Sequence, residues 1–199
     1  MCPKQPIKIF AAMALSTLAL FSPCNYADEQ PAQMYEQKIK AGLVYNLLKY
    51  TEWPKTSNAQ YDATKSAEIS TAIKLQICLF GDDPFDGYLS PLEGRTAQQA
   101  TITIIHITQV QETERCNAVI IHRNQAQQLN QLLQFLHGKN VLTISDIAKF
   151  AEQGGMVEMT RQDEKVALHI NKSSIDDTKL IIDARMLKLA TIVSDKGGA

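Results

Sequence analysis

A short apolar run that ends abruptly in a polar turn constrains the fold of this chain more than any other stretch. Residues 75–80 are almost continuously apolar, and Gly81, Asp82, Asp83 and Pro84 follow at once. A strand that is buried on both faces of a parallel sheet has this composition and ends in this kind of turn. The run therefore predicts the first strand of an α/β domain.

The turn after such a strand is where a dinucleotide-binding fold cradles a pyrophosphate, which requires glycines in the pattern G-x-G-x-x-G. Here a single glycine is followed by two carboxylates, which would repel a phosphate. The sequence therefore argues against a dinucleotide site, and no cofactor is predicted. The ordinary interpretation is a polar turn that caps the next segment.

The amino terminus has the pattern of a Sec-type signal peptide. Two lysines precede the apolar stretch 9–21, which is too short to span a bilayer comfortably. We predict export and cleavage after Ala27, so that residues 1–27 are removed. Two alternatives remain, namely lipidation at Cys24, against which the preceding Pro23 argues, and an uncleaved membrane anchor.

The chain that follows the predicted cleavage site is mildly acidic. It keeps 18 of the 20 basic residues against 21 acidic ones, a net charge of −3, which does not favour nucleic acid or an anionic membrane as partner. Its 172 of 199 residues are enough for one ordinary core, and no linker divides them. We predict one domain over residues 28–193 and a disordered polar tail over residues 194–199.

Two cysteines, Cys78 and Cys116, remain after the predicted cleavage. Cysteine pairs in an oxidising compartment commonly form a disulfide, and both of these lie in or beside predicted strands. A bridge that closes a loop of this length would contribute on the order of 4 kcal/mol in the chain-entropy model. The alternative is two free buried thiols that behave as small hydrophobes.

The rest of the chain alternates between helical and strand patterns, with a polar loop predicted over residues 55–71. The predicted helices are 34–51, 84–92, 125–136, 147–152, 173–178 and 183–192, and the further predicted strands are 101–107, 117–122, 141–144, 156–159 and 165–171. The last two strands are predicted to form a hairpin. This order predicts an α/β fold in one domain: a mixed, mostly parallel β-sheet covered by helices, with a C-terminal antiparallel strand pair.

The sequence contains no recognisable catalytic constellation. Ser145 lies outside a G-x-S-x-G elbow, so a helix N-cap is favoured over a nucleophile, and adjacent Asp-Asp pairs cannot face each other across a substrate. Metal-binding spacings are missing too, although a site assembled in space remains an alternative for the four histidines His106, His122, His137 and His169. The sequence therefore predicts a binding or regulatory protein, not an enzyme.

Three groups of residues, in this order, resemble the YfiR (DUF4154) family of periplasmic regulators. Residues 40–54 follow the pattern K-A-x-x-x-Y-N-x-x-K-Y-x-x-W-P. Residues 77–85 read ICLFGDDPF, and Cys116 precedes a later strand. The third group comprises LTISD at 142–146, GGM at 154–156, VALHIN at 166–171 and LKLA at 187–190. Together they cover nearly all of the chain after residue 27.

The resemblance implies a periplasmic α/β protein that acts by binding. Similar proteins restrain an inner-membrane diguanylate cyclase, which carries a GGDEF domain, by engaging its periplasmic sensor region. An OmpA/Pal-like outer-membrane lipoprotein can sequester the restrainer, and cyclic di-GMP is made in the cytoplasm, away from such a chain. The resemblance also supports a Cys78–Cys116 disulfide, whereas the second disulfide of some relatives has no counterpart because residues 145–159 contain no cysteine.

Under this hypothesis, the candidate residues for a partner surface or a neighbouring ligand groove are Tyr50, Trp53, Phe85, Met156 and Arg185. The structural alternative makes Tyr50 and Trp53 core and cap residues, and pairs Arg185 with Asp183 or Glu158. The alternative function is a periplasmic small-molecule sensing protein with a groove near the carboxyl ends of the strands. A small exported hydrolase is the third class, and both a homodimer and an output such as biofilm formation stay open.

Overall fold

The computed structural model describes residues 29–54 and 73–194. The predicted signal peptide, the predicted loop 55–71 and the predicted tail beyond Ser194 lie outside the described residues. None of the helices in the described ranges is both long enough and apolar enough to cross a membrane.

Four α-helices and ten strands make up the described part of the chain. The helices are α1 (Glu29–Tyr50), α2 (Leu129–Leu136), α3 (Lys172–Asp176) and α4 (Ala184–Leu187). The strands are β1 (Thr51–Glu52), β2 (Lys74–Phe80), β3 (Thr96–Ala97), β4 (Ala100–Ile107), β5 (Ala118–Ile121), β6 (Leu142–Ser145), β7 (Val157–Gln162), β8 (Lys165–Asn171), β9 (Ile181–Ile182) and β10 (Thr191–Val193).

The strands form one eight-stranded sheet in the order β10-β8-β7-β6-β5-β2-β4-β3 and a separate two-stranded sheet of β1 and β9. Strand β2 pairs in parallel with β4 and β5, and parallel pairing continues through β6 to β7. Strands β7 and β8 form an antiparallel hairpin. The predicted α/β class, with a mostly parallel sheet and a C-terminal antiparallel pair, is confirmed.

Strand β2 contributes to an apolar layer on each face of the sheet, because successive side chains of a strand point to opposite faces. Ile77 and Leu79 join the layer covered by α1, whose buried side chains there include Val44, Leu47 and Leu48. Cys78 and Phe80 join the opposite layer, which α2 covers with Leu129, Leu132 and Leu136. The run from which the fold was predicted is therefore the centre of the core.

Two features of the sheet follow from local chain chemistry. The β7–β8 hairpin turns at Asp163 and Glu164, whose φ angles of 47° and 60° are both in the left-handed region that a two-residue type I′ turn requires. The Cys78–Cys116 disulfide, with Cα atoms 5.9 Å apart, links β2 to the segment before β5. The parallel pairing of Ile77 with Ala118 brings these segments together, so the alternative of two free thiols is wrong.

Three predicted helices are wrong over much of their length. Residues 84–92 form turns and a short 3-10 segment, because Asp86 and Gly87 have positive φ angles of 50° and 83°. Residues 147–152 also form turns before a 3-10 segment, and the φ of Lys149 is 61°. The last predicted helix ends at Leu187, and the β-branched residues that follow form β10 beside β8.

Candidate functional site

The C-terminal end of α1 carries an aromatic–guanidinium contact. The Arg185 guanidinium lies over the Tyr50 ring, 4.3 Å from the ring centroid, and Lys49 Nζ lies 5.4 Å from the same centroid. The Arg185 side chain is 67% exposed and lies beside Asp183. We call Tyr50, Asp183 and Arg185 the Tyr50–Arg185 cluster. Two of its members, Tyr50 and Arg185, are among the five residues proposed from the sequence for a partner surface.

Pairing between β1 and β9 builds this cluster. The chain passes directly from Tyr50 into β1, where Thr51 pairs with Ile182 in the antiparallel register. The Asp183 backbone N–H donates to the Tyr50 carbonyl at 2.8 Å, which extends the ladder by one residue. Because Asp183 is also the N-cap of α4, Arg185 is fixed in the first turn of that helix.

The carboxylate of Asp183 holds the guanidinium in place. It accepts hydrogen bonds from Arg185 Nε at 2.9 Å, from Nη2 at 2.7 Å and from the Arg185 backbone N–H at 2.8 Å. These bonds lower the pKa of the Asp183 carboxyl to about 2, and the same pairing raises the pKa of Arg185. Of the two carboxylates considered for Arg185, Glu158 is instead buried, and it accepts from the Lys149 and Ala151 backbone N–H groups.

Trp53 lies half-buried just beyond β1 and packs against the core. Its Nε1–H donates to the Asn117 carbonyl at 3.0 Å, and the Asn117 side-chain oxygen accepts from the Gln76 backbone N–H at 2.8 Å. These bonds tie the segment after α1 to the segment before β5. Trp53 therefore has a clear structural task in addition to any contact with a partner.

The remaining two candidates, Phe85 and Met156, lie in the core. They are 2% and 4% exposed and belong to the layer that α1 covers. In this conformation neither residue offers surface to a partner. An apolar residue beside a polar turn has the same local sequence whether it faces the core or solvent, so sequence alone did not separate the two cases.

Side chains bridge the crevice where an open α/β sheet ordinarily binds a ligand. That crevice lies between the carboxyl ends of β2 and β5, because the connections from these two strands leave in opposite directions. Asn124 Nδ2 donates to Asp82 Oδ2 at 2.8 Å across it. A Cβ on Gly81 would lie 2.4 Å from Asn124 Oδ1 and 2.8 Å from Gln125 Cγ, so these two side chains pack directly against the turn after β2.

The turn after β2 is the capping turn that the sequence predicts. The Asp83 carboxylate accepts from the backbone N–H groups of Phe85 and Gly87, both at 2.9 Å. Ser145 has a comparable task at the end of β6: its Oγ donates to the Ile121 carbonyl at 2.8 Å and accepts from the Ile147 N–H at 3.1 Å. Both side chains therefore form hydrogen bonds with nearby backbone groups.

The sequence did not predict a buried group of charged side chains that lies at the end of β6. Lys40 Nζ lies 2.8 Å from Glu36 Oε1 and 3.7 Å from Asp146 Oδ2, and Arg123 also pairs with Asp146. The Lys40 and Asp146 side chains are only 4% and 3% exposed. The pair anchors α1 to the carboxyl edge of the sheet, and the i,i+4 spacing of Glu36 and Lys40 is its one sequence signal.

Metal ligands are not grouped in the described ranges, where no three His, Cys, Asp or Glu side chains come close enough to hold an ion. His137 lies 3.8 Å from Asp177, with both side chains more than half exposed. The histidines of residues 29–54 and 73–194 are therefore not assembled into the metal site that the sequence left open.

Comparisons with known proteins identify a family. None of the curated proteins matches the chain. Among solved structures, it is similar to the ligand-free, open structure of CD0873, a substrate binding protein with adhesive properties from Clostridium difficile, at 8% identity and a TM-score of 0.44. That similarity covers 63% of this chain and 56% of the other.

A family model described as DUF4154, YfiR/HmsC-like, matches residues 37–191, which is well over half of the chain. The match runs from the first third of α1 to the start of β10 and includes both cysteines of the disulfide. The protein is thus a member of the YfiR/HmsC-like DUF4154 family, a family of periplasmic regulators in cyclic di-GMP signalling.

Proposed function

We propose that this protein restrains an inner-membrane diguanylate cyclase by binding the periplasmic sensor region of that enzyme. The observation that carries the proposal is the family match over residues 37–191. A disulfide between Cys78 and Cys116 supports it, because such bridges persist in oxidising compartments such as the periplasm. Export by a signal peptide cleaved after Ala27 is part of the same proposal.

The Tyr50–Arg185 cluster is the proposed anchor of the interface. Arginine and tyrosine are enriched among the residues that dominate binding energy. The Asp183 carboxylate already fixes the guanidinium at two nitrogen atoms, so a partner would not have to order this side chain on binding. Trp53 lies three residues after Tyr50 and extends the proposed surface, whereas Phe85 and Met156 stay in the core.

The proposed mechanism is a shift of population in the cyclase. A regulator that binds the inactive sensor conformation more tightly than the active one stabilises the inactive state by that difference in binding free energy. Sequestration by an OmpA/Pal-like outer-membrane lipoprotein would remove the regulator and release the cyclase. Cyclic di-GMP itself then stays on the cytoplasmic side of the membrane.

The test is recovery of the cyclase from a detergent-solubilised cell envelope on the tagged protein, followed by mass spectrometry. Enrichment of a membrane protein with a GGDEF domain supports the proposal, and deletion of the regulator should raise cellular cyclic di-GMP. Recovery of no such protein, together with unchanged cyclic di-GMP in the deletion strain, contradicts it.

A pair of arginine variants tests the surface separately. Arg185→Ala should reduce recovery of the cyclase, whereas the matched variant Arg95→Ala should not. Arg95 makes a similar contact elsewhere, with its guanidinium 6.0 Å from the centroid of the Tyr45 ring. If folded Arg185→Ala and Arg95→Ala proteins recover the cyclase equally well, the interface does not include the Tyr50–Arg185 cluster. This outcome would not affect the pull-down test of whether the cyclase is the partner.

A periplasmic small-molecule sensing protein is the second candidate function. One observation favours it: a cavity of about 220 Å³ lies between α2 and α3. A screen of small metabolites by thermal shift tests this function, since a ligand that binds only the folded state raises the unfolding temperature.

A further inference from the structure

The cavity between α2 and α3 shares no residue with the Tyr50–Arg185 cluster and needs its own explanation. Its volume of about 220 Å³ lies below the range of roughly 300–1,000 Å³ that is typical of sites for drug-sized ligands. Its occupant is therefore a compact molecule.

One wall of the cavity is apolar. Leu133, from the last turn of α2, lines it and is half-buried, whereas Leu136 is 2% exposed and offers almost no surface. Contact with such a wall is favourable for hydrocarbon and unfavourable for a fully hydrated ion. The occupant therefore carries an apolar body.

The mouth of the cavity is acidic. Asp177 is among the lining residues, and its exposed carboxylate lies 3.8 Å from the exposed imidazole of His137. Two of the three lysines nearest in sequence to the lining residues are engaged elsewhere, since Lys139 pairs with Glu114 at 2.7 Å and Lys172 with Asp176 at 2.6 Å. The third, Lys179, is exposed. Within residues 29–54 and 73–194, no lysine or arginine lies within ion-pair distance of Asp177.

Hydrogen-bond acceptors add to this acidic character. Helices α2 and α3 both end at the cavity, with His137 and Asp177 as their C-caps, and the C-terminal end of a helix carries partial negative charge. The Gln153 side-chain amide nitrogen donates to the Ala148 and Lys149 carbonyls, which leaves its oxygen as an acceptor. A positively charged hydrogen-bond donor therefore fits the polar side of the cavity.

We propose that the cavity binds a compact primary ammonium compound, with its ammonium group at the Asp177 carboxylate and its apolar body against Leu133. A bare metal ion is a poorer fit, because the described residues provide no cluster of metal-ligating side chains here. This site is additional to the restraint of a cyclase and does not depend on it, since no partner protein is needed for an amine to bind.

The test is a titration of the ¹⁵N-labelled protein, expressed from the full-length chain and purified from the periplasm, with hexylammonium chloride. Gly138 and Gly154 both line the cavity, so their amide signals report on it directly. We expect saturable shifts at these two glycines.

Two probes of similar size distinguish the contribution of the positive charge to binding from that of the hydrocarbon chain. Hexan-1-ol should bind at least about fivefold more weakly than hexylammonium, because it lacks the charge that strengthens a hydrogen bond to carboxylate, and hexanoate should not bind. If hexan-1-ol binds as well as hexylammonium, or if the glycine signals do not shift, the proposal is overturned. These probes use the unmodified protein, so the result stands even where a variant fails to fold.

A pair of aspartate variants locates the ammonium group. Asp177→Asn should weaken hexylammonium binding by about fivefold, since it removes the one carboxylate at the mouth. Asp176→Asn is the matched control, because Asp176 pairs with Lys172 and does not line the cavity. Unchanged binding by a folded Asp177→Asn protein overturns the assignment, whichever way the cyclase experiment turns out.

Discussion

The ring of Phe150 occupies the space in which a side chain of Gly155 would begin. An ideal Cβ on Gly155 would lie 2.2 Å from Phe150 Cε1, and the ring is fully buried. The Gly155 N–H also donates to the Phe150 carbonyl at 3.0 Å, so the two residues are held together through both backbone and side chain. No flexible group can move aside to make room for a methyl group.

Gly155→Ala is therefore expected to destabilise the protein by about 1–3 kcal/mol, the range for overpacking a well-packed core. Urea denaturation followed by circular dichroism measures the free energy of unfolding. A loss below about 0.5 kcal/mol, which is ordinary for a surface substitution, would contradict the contact.

Alanine at position 42 should have the opposite effect on the free energy of unfolding. Gly42 lies in the middle of α1 on an exposed face, and a Cβ there would meet no atom within 4 Å. Because alanine loses less conformational entropy than glycine in a helix, Gly42→Ala should stabilise the fold by about 0.5–1 kcal/mol. Urea denaturation measures this change as well. A destabilised Gly42→Ala protein would show that other atoms pack against this face of α1.

Removal of the buried positive charge of Lys40 should lower the free energy of unfolding. Lys40→Met keeps the length of the side chain but removes the buried partner that Asp146 and Glu36 share. Because Arg123 still pairs with Asp146 and Arg161 with Glu36, the expected loss is about 1–3 kcal/mol. Lys172→Met is the control, because Lys172 pairs with Asp176 on the surface and should cost under about 1 kcal/mol. Equal losses of unfolding free energy in the two variants would show that the Lys40 pair is not an anchor.

Reduction of the disulfide should lower the free energy of unfolding by about 4 kcal/mol, the chain-entropy value for a bridge between residues 38 positions apart. The comparison is between denaturation curves with and without dithiothreitol. A Cys78→Ala/Cys116→Ala double variant provides the control, since its curve should not respond to the reductant. A response of that variant equal to the response of the unmodified protein would assign the effect to something other than the bridge.

The Asp183 carboxyl should titrate far below its usual range. Its pKa is lowered from 3.8 to about 2 by the hydrogen bonds from Arg185, so it contributes to stability above pH 3.8 and loses that contribution as the pH falls towards 2. Carboxyl carbon shifts in an NMR titration measure the pKa. Arg185→Ala should return it towards 3.8, Arg95→Ala should leave it low, and an Asp183 that titrates near 3.8 in the unmodified protein would contradict the pairing.

Local sequence chemistry accounts for the parts of the fold that were predicted correctly. The apolar run of β2 is unambiguous because both faces of that strand are buried, and Asp83 caps the next turn through contacts within four residues of itself. The β7–β8 hairpin is also local, because its strands are separated by two residues. In these cases the interacting groups are close enough in sequence for the pattern to reveal them.

Pairing between distant segments accounts for the parts that were not predicted. Strands β1 and β9 are two residues each and exist only because they meet, so neither has a pattern of its own. Tyr50 and Arg185 were chosen singly, and their contact depends on that pairing. Likewise, the apolar spacing before Thr191 is helical, and only the neighbouring edge of β8 makes the next residues a strand.

The pairing of β1 with β9 also links segments that are far apart in the sequence. Thr51 and Ile182 lie near opposite ends of the described chain, and Arg185 follows the second of them. A polypeptide is made from its amino terminus, so α1 is complete long before the residues of β9 are available to pair with β1. The Tyr50–Arg185 cluster can therefore form only when almost the whole chain is present, and a product truncated before β9 would lack it.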